Sequence, residues 1–397
     1  MRLLVFTSVL GLLGLAAGRS AAEDLCGTAC GDPELLPEAH AGVGSLEIGI
    51  VAQLGFEFLP DAEEGERNGF TASRARIHID GHLLSENLTY HLSGDALAGP
   101  LYAGRRHGPG GENAGATPFL LDASMSWYIP LVGLRISAGR FVPAWGLTMP
   151  ARPTRIGAIH YPLYVHGASG SLGRFRDLGI AASVEVLDAL TFEAGVFNGA
   201  PGGLDDDNDR KDFLAGLLVE PAPGLDIRAS SLFGFPEARG ALREDGSEIE
   251  MGSETHIQPV LEARWRDFGL DLMLGGAADF VTRHEEDVRE DYRAWGALGH
   301  VGYLVAGDWL QLIARAEWWE PSDAGSGDGQ LRLTAGPQLF IEGLSSQVRI
   351  NYVYDRWESD DAMCRGYLES TGCDDLDSIP ESQRDANAVL IMLGVDI

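Results

Sequence analysis

The sequence predicts an all-β fold, a transmembrane antiparallel β-barrel of about 16 strands. From residue 43 to the C-terminus, apolar and polar residues alternate in segments of about ten residues, which is the two-residue period of a strand. The connections between these segments are alternately short and long, as in barrels that cross a bacterial outer membrane. Beyond the first residues, no apolar stretch reaches the roughly 18 residues that a membrane-spanning helix needs.

The alternation separates an apolar face from a charged face along each segment. In the segment 331–342, the apolar face carries Leu331, Leu333, Ala335, Pro337, Leu339 and Ile341, and the other face carries Arg332, Thr334, Gln338 and Glu342. Unpaired charges in a dry β-sandwich core would cost several kcal/mol each, whereas they are normal in a water-filled barrel. An exported array of β-sandwiches is the alternative architecture.

The strand boundaries follow from this alternation. The predicted strands are 43–58, 71–84, 88–97, 119–129, 134–143, 177–187, 190–198, 213–220, 225–235, 255–265, 268–281, 292–305, 309–319, 331–341, 346–357 and 387–397. The connections predicted to be short are 85–87, 130–133, 188–189, 221–224, 266–267, 306–308 and 343–345, and every connection between them is predicted to be a long external loop.

Composition excludes some function classes. The chain has 397 residues, with 59 Asp and Glu against 29 Lys and Arg and a formal net charge of −30. Lys211 is its only lysine, so nucleic acid is excluded as a partner because its phosphates would be repelled. A hydrophobic content of 45% is too high for a disordered acidic chain.

The N-terminus has the pattern of an export signal. Arg2 precedes an apolar run, and Ser20-Ala21-Ala22 supplies the small residues of a cleavage site. We expect residues 1–22 to be a signal peptide, 23–42 a periplasmic segment and 43–397 the barrel, located in the outer membrane of a Gram-negative bacterium.

The four cysteines form two close pairs in the sequence. Cys26 lies near Cys30, and Cys364 lies near Cys373. In an exported chain such spacing predicts disulfides that staple loops, although spacing does not prove connectivity. Lipidation of Cys26 is a weaker interpretation, because Glu23-Asp24-Leu25 is not the small, apolar approach to a lipidated cysteine. A zinc or redox site is also weaker, because no second ligand pair lies nearby.

Aromatic residues concentrate near the predicted strand ends. Those positions are Trp127, Tyr128, Trp265, Trp295, Trp309, Trp318, Trp319 and Trp357. Tryptophan and tyrosine favour the boundary between membrane and water, so we expect them to form girdles at that level.

Three segments resemble landmarks of the phosphate-selective porin O/P-type family. They are Gly139 to Leu147 (GRFVPAWGL), Arg176 to Ile180 (RDLGI) and Gly195 to Gly199 (GVFNG). The resemblance covers about sixty residues and implies a sixteen-stranded pore, usually trimeric, with the third external loop folded inward. That family's phosphate specialists line the pore with lysines, so phosphate selectivity is not implied here.

The inward loop implied by the resemblance, about 144–176, contains no Asp or Glu. Its basic residues are Arg152, Arg155, His160, His166, Arg174 and Arg176, which we expect to form a constriction that contacts solutes. Arginines at a narrow point favour anions, and their planar forks suit carboxylate or phosphate groups. The competing interpretation is that Arg174 and Arg176 only pair with neighbouring carboxylates.

The strand pattern places further charges on the inner face. Arginines predicted to line the lumen are Arg74, Arg76, Arg264, Arg315, Arg332 and Arg349. Acidic residues predicted to face inward are Glu193, Glu262, Glu317 and Glu342. The lumen is therefore predicted to be mixed in charge.

The acidic surplus lies in the predicted external loops. These runs are 61–66, 205–212, 244–254, 285–291 and 355–385. Divalent cations are candidate partners of such loops, although solvated repulsive loops are the simpler reading. The run that begins at Asp205 is not an EF-hand, because Arg210 stands where that motif needs glycine.

No catalytic motif is found in the sequence. HExxH, GxSxG and Walker patterns are missing, and the glycines at 167, 170 and 173 lie inside a predicted loop. A barrel hydrolase that uses Ser169 and His166 is a weaker alternative.

We therefore predict a passive diffusion channel for small hydrophilic solutes, with an anion preference set by the inward loop. It needs no cofactor, is not an enzyme, contacts outer-membrane lipid and forms a homotrimer as the resemblance implies. The alternative is a structural or surface-interaction barrel with ion-binding or lipid-binding acidic loops and a closed lumen.

Overall fold

The structure, a computed structural model, describes residues 44–58, 69–95, 120–151, 156–165, 176–199, 210–235, 253–285, 288–321, 329–341, 346–358 and 385–396. Within these residues the chain forms sixteen strands. In chain order they are β1 (Glu47–Phe58), β2 (Gly69–Leu83), β3 (Ser85–Asp95), β4 (Leu120–Ile129), β5 (Leu134–Phe141), β6 (Asp177–Leu187), β7 (Leu190–Phe197), β8 (Asp212–Ala222), β9 (Leu225–Gly234), β10 (Ser253–Asp267), β11 (Leu270–Glu285), β12 (Val288–Ala306), β13 (Leu310–Glu320), β14 (Gln330–Phe340), β15 (Ser346–Trp357) and β16 (Asp385–Asp396).

The sheet closes on itself. Each strand pairs antiparallel with the next, and β1 pairs with β16 from Val51 opposite Asp396 to Phe58 opposite Val389. Closure leaves no free sheet edge, so the backbone groups of every strand find partners within the sheet. The predicted fold class is confirmed. None of the helices among the described residues is long and apolar enough to span a membrane.

The two faces of the strands differ as the alternation predicts. Along β13, Gln311, Arg315 and Glu317 are buried, whereas Leu312 is 47% exposed on the opposite face. Because side chains alternate across a strand, the charged residues lie inside the barrel and the leucine lies on its outer surface. Exposed apolar side chains recur around the outer surface, as a lipid-facing belt requires.

The connection between β11 and β12 differs from the prediction. The sequence predicts an acidic loop over 282–291, but strand pairing continues from Thr282 opposite Asp291 to Glu285 opposite Val288. Strand pairing is made by backbone hydrogen bonds and does not depend on side-chain polarity. The two strands therefore continue to pair beyond the point where the alternation of apolar and polar residues ends. This predicted long loop is wrong.

Two of the predicted girdle tryptophans face the interior. Trp319 is 8% exposed and packs in an internal apolar cluster, and Trp357 is 3% exposed. Trp127, Trp295 and Trp309 are about half exposed, as a girdle position requires. Successive side chains of a strand point to opposite faces, so a position near a strand end does not by itself tell whether a tryptophan faces the lipid or the interior.

Several predictions lie outside the described residues. These are the signal peptide 1–22, the segment 23–42, the disulfide pairings of Cys26, Cys30, Cys364 and Cys373, and most of the acidic loops.

Candidate functional site

The candidate site is the barrel interior together with the connection between β5 and β6, residues 142–176, which we call loop 3. Its described parts lie against the inner wall of the barrel. Trp145, Met149, Leu163, Tyr164 and Val165 of loop 3 are all buried. Their partners on the wall, from β7 to β13, are Phe197, Leu214, Leu232, Val260, Met273, Ala277, Ala294, Leu298 and Trp319. Loop 3 therefore seats on one side of the interior through an apolar contact.

The Glu262 carboxylate on β10 is a central anchor of this loop. One of its oxygens accepts hydrogen bonds from the backbone N–H groups of Leu147 and Thr148, the latter at 2.8 Å. The other oxygen accepts from the Tyr164 hydroxyl. Gly146 has a φ of 74° and passes so close that a Cβ there would lie 2.8 Å from the carboxylate. Three donors thus converge on one carboxylate that is 1% exposed.

Burial, followed by the neighbouring Glu262 carboxylate, raises the pKa of Tyr164 well above its ordinary value. The hydroxyl consequently keeps its proton and continues to donate to Glu262 at any physiological pH.

Other wall residues accept from the loop at separate points. The N–H of Leu163 donates to Glu317 on β13 at 2.8 Å, and the N–H of Ile159 donates to Asn351 on β15 at 3.1 Å. The N–H of Gly146 donates to Ser230 on β9 at 3.0 Å. Ile159 also packs in a second apolar cluster with β15 and β16. Loop 3 is held along the wall from β9 to β16.

Wall arginines and a glutamine bind the loop carbonyl oxygens. Arg228 donates to the carbonyl of Gly146 at 3.2 Å. Arg315 donates to the carbonyl of His160 at 2.9 Å, Arg349 donates to that of Ala158 at 2.8 Å, and Gln338 donates to that of Gly157. These contacts satisfy backbone groups that would otherwise be buried without partners. The N–H groups of the loop therefore bind carboxylates, Ser230 and Asn351, and its carbonyl oxygens bind arginines and Gln338.

Most of the arginines predicted to line the lumen have acidic partners. Arg76 pairs with Asp95 at 3.0 Å, Arg264 with Asp271 at 2.6 Å, Arg315 with Glu317 at 2.7 Å, and Arg332 with Asp355 at 2.7 Å. Such pairs cancel much of each other's field. Positive charge on these arginines is therefore largely compensated within the wall.

Arg74 and Arg349 have different surroundings. Arg74 donates to the Gln53 side chain, and its guanidinium lies 5.9 Å from the centre of the Tyr161 ring of loop 3. Arg349 donates to the Gln347 side chain at 2.8 Å in addition to its bond with the loop. The contact between Arg74 and Tyr161 brings loop 3 near β2.

Of the residues predicted to form the constriction, the structure describes Arg176 and His160. Arg176 makes two hydrogen bonds to Asp122, at 2.9 and 3.2 Å, as the pairing interpretation expects. His160 has an exposed side chain, and its carbonyl accepts from Arg315. Arg152, Arg155, His166 and Arg174 lie outside the described residues, as does Ser169.

A charged network lines the wall formed by β2, β3 and β4. His91 lies 2.5 Å from Asp80 and 3.8 Å from Asp122. Asp122 also accepts from Ser93 at 2.5 Å. Among the residues that the structure describes, no group of three or more His, Cys, Asp or Glu side chains is arranged to hold a metal ion.

The apolar seat of loop 3 was not predicted from the sequence. The signal for it is present, because several strands carry apolar residues on the face that should be polar. Leu214 and Leu218 on β8, Met273 on β11 and Leu298 on β12 are buried inward residues. A strand that is apolar on both faces in a barrel indicates that something covers its inner face.

Neither a known protein-family profile nor a curated protein sequence matches this chain. Solved structures do match. OmpT, an outer membrane protein of Vibrio cholerae, has a TM-score of 0.57 at 13% identity, over 91% of this chain and 100% of that chain. DcaP, an outer membrane channel of Acinetobacter baumannii, has a TM-score of 0.58 at 8% identity over the same shares.

OmpF of Salmonella typhi, in a complex with daunomycin, gives a TM-score of 0.54 at 10% identity, again over 91% of this chain and 100% of that chain. At these identities the similarity concerns the fold alone. The comparisons do not confirm the resemblance to the phosphate-selective porin O/P-type family. The described residues of this chain form a closed sixteen-stranded antiparallel barrel, and its fold is similar to that of these outer-membrane proteins.

Proposed function

We propose that this protein is an outer-membrane channel through which small hydrophilic solutes diffuse down their gradients. The observation that carries the proposal is the charged inner face of a closed barrel with an apolar outer face. Asp80, His91 and Arg76 on β2 and β3 are inward and charged or polar, and they lie outside the apolar seat of loop 3 on β7 to β13. Charged residues on an inner face suit a water-filled passage.

Anion preference is the finer part of the proposal. It rests on Arg74, which donates to the neutral Gln53 amide, lies near the Tyr161 ring and shares the nearby Asp95 carboxylate with Arg76, and on the basic residues of loop 3. The paired arginines contribute less, because a neighbouring carboxylate offsets each of them. We expect a moderate preference, since four of the six arginines predicted to line the lumen lie beside a carboxylate.

The test is the single-channel conductance of the refolded protein in a planar bilayer, with the reversal potential across a KCl gradient. The proposal expects steady conductance and a reversal potential of anionic sign. Arg74→Gln, Arg152→Glu and Arg155→Glu should each shift that potential toward cation preference. Arg266→Gln is the control, because Arg266 is half exposed and pairs with Asp226 at the far end of the barrel. Cation preference in the unchanged protein would refute the proposed anion preference but would still support the proposed channel.

A closed barrel that serves as a structural or surface-interaction protein is the second candidate. The apolar cluster between loop 3 and β7 to β13 favours it, because part of the interior is packed and dry. Absence of conductance from correctly folded protein would favour this function over the channel.

The proposed setting includes outer-membrane lipid around the barrel and a homotrimeric assembly. Divalent cations remain candidate partners of the acidic external segments. Crosslinking in native membranes, followed by electrophoresis without heating, tests the trimer.

A further inference from the structure

The end of the barrel that carries the short turns has apolar residues at its tips. Leu84 between β2 and β3 is 79% exposed, Leu131 between β4 and β5 is 93% exposed, and Phe268 between β10 and β11 is 83% exposed. Leu187, the last residue of β6, and Ile341, directly after β14, lie beside two further connections and are also mostly exposed. Turn tips in water are ordinarily glycine, asparagine, aspartate or serine.

Two of these tips also have an unfavourable backbone conformation. Leu84 has a φ of 61° and Phe268 has a φ of 50°, and they are the two non-glycine residues with positive φ in the described part of the chain. Asp267 pairs with Leu270, so Phe268 and Gly269 form a two-residue hairpin turn with positive φ at both positions. Asparagine or aspartate normally fills the first position of that turn. A phenylalanine at this position is therefore unfavourable in water, both because its apolar ring is exposed and because its backbone has a positive φ.

The tips surround the barrel. The turns that carry them join β2 to β3, β4 to β5, β6 to β7, β10 to β11 and β14 to β15, so they are spread around the closed sheet. A protein partner would cover one sector of this ring, whereas lipid surrounds the whole barrel. The tips also continue the apolar outer belt, whose nearest members at this end include Trp127 and Val305. Large exposed apolar surface of this kind marks a protein or membrane contact.

We propose that the ring formed by Leu84, Leu131, Leu187, Phe268 and Ile341 inserts into the phospholipid interface of the membrane leaflet at the short-turn end. We call it the turn ring. This inference rests on the membrane setting of the proposed function, but it does not require that the barrel conducts. The turn ring would fix the depth of the barrel by immersing side chains that ordinary turns keep in water.

The test places a fluorescent reporter at a tip. Phe268→Trp and Leu131→Trp are reconstituted separately into phosphatidylcholine vesicles in which the lipids carry bromine on their acyl chains near the headgroups. The fluorescence that each variant adds to that of the unchanged protein should be largely lost in brominated vesicles and little affected by iodide in the buffer. Arg210→Trp, at the opposite end before β8, is the control and should show the reverse.

A second measurement does not depend on an added tryptophan. Phe268→Asn creates the Asn-Gly sequence that favours this turn, so it should stabilise the barrel if the tip lies in water. The turn ring predicts the opposite, a lower urea concentration for half-unfolding in vesicles.

The outcomes separate the two proposals. Added fluorescence that iodide quenches and brominated lipid does not, or a raised urea midpoint for Phe268→Asn, overturns the turn ring even if the same preparation conducts. Lipid quenching in a preparation without conductance supports the turn ring and overturns the channel.

Discussion

The loop anchor at Glu262 gives the sharpest prediction. Replacing Glu262 with leucine removes the acceptor for the N–H groups of the partly buried Leu147 and the buried Thr148. Each buried donor without a partner costs about 1–3 kcal/mol, so the free energy that favours the wall-bound position of loop 3 falls by roughly 2–6 kcal/mol in the variant. Since about 1.4 kcal/mol changes an equilibrium constant tenfold, the ratio of unseated to seated loop rises by about 30-fold or more.

The direction of the effect follows from where loop 3 lies. The described parts of loop 3 contact the wall from β7 to β16, so leaving that wall moves them toward the centre of the barrel. Glu262→Leu should therefore produce brief closures in single-channel records while the fully open level stays near that of the unchanged protein. Tyr164→Phe removes one neutral donor and should have a smaller effect of the same kind, about 1 kcal/mol.

Glu262→Gln is the intermediate member of this series. An amide oxygen can still accept from the two N–H groups, and the Tyr164 hydroxyl can turn to accept from the amide nitrogen. Asp355→Asn is the matched control, because Asp355 accepts from Arg332 and Gln330 on β14. Equal closure rates in Glu262→Leu and Asp355→Asn, in barrels that remain folded by electrophoresis without heating, would refute the anchor.

Three further perturbations test the interior by urea unfolding in lipid vesicles. Arg228→Met leaves the buried Glu193 carboxylate without its cationic partner at 3.2 Å and should destabilise the barrel by about 3–5 kcal/mol, and adding Glu193→Leu should restore much of the loss. If the double variant is as unstable as the single one, the pair is not the cause. Gly157→Ala forces a residue with a φ of 77° into an unfavourable conformation and places a methyl group 3.0 Å from the His300 ring, so it should cost at least roughly 1–2 kcal/mol. An unchanged urea midpoint would argue against a fixed loop at that point. Leu298→Ala opens a cavity beneath loop 3 and should cost about 2–5 kcal/mol, more than Leu333→Ala on the lipid face, where lipid can fill the space. Equal losses would mean that the cluster is not packed.

The sequence by itself determined the fold class, the number of strands and the face on which most side chains lie. The two-residue period is a local property, so Arg332 and Leu333 can be assigned to opposite faces without knowledge of any partner strand. The same local pattern places Glu262 and Glu317 inside the barrel. The prediction of a long loop between β11 and β12 was wrong, because strand pairing continues there after the alternation of apolar and polar residues has ended.

Only the tertiary structure decided what the inward residues contact. Glu262 meets Leu147 and Thr148 because the segment that follows β5 reaches the inner face of β10, and residues more than a hundred positions apart in the chain have no local pattern that joins them. Composition indicated arginines free to attract anions, whereas the pairing of consecutive strands placed a carboxylate beside three of the six lumen arginines, Arg76, Arg264 and Arg332. Alternation fixes the direction of a side chain, and the closed sheet with its seated loop fixes its partner.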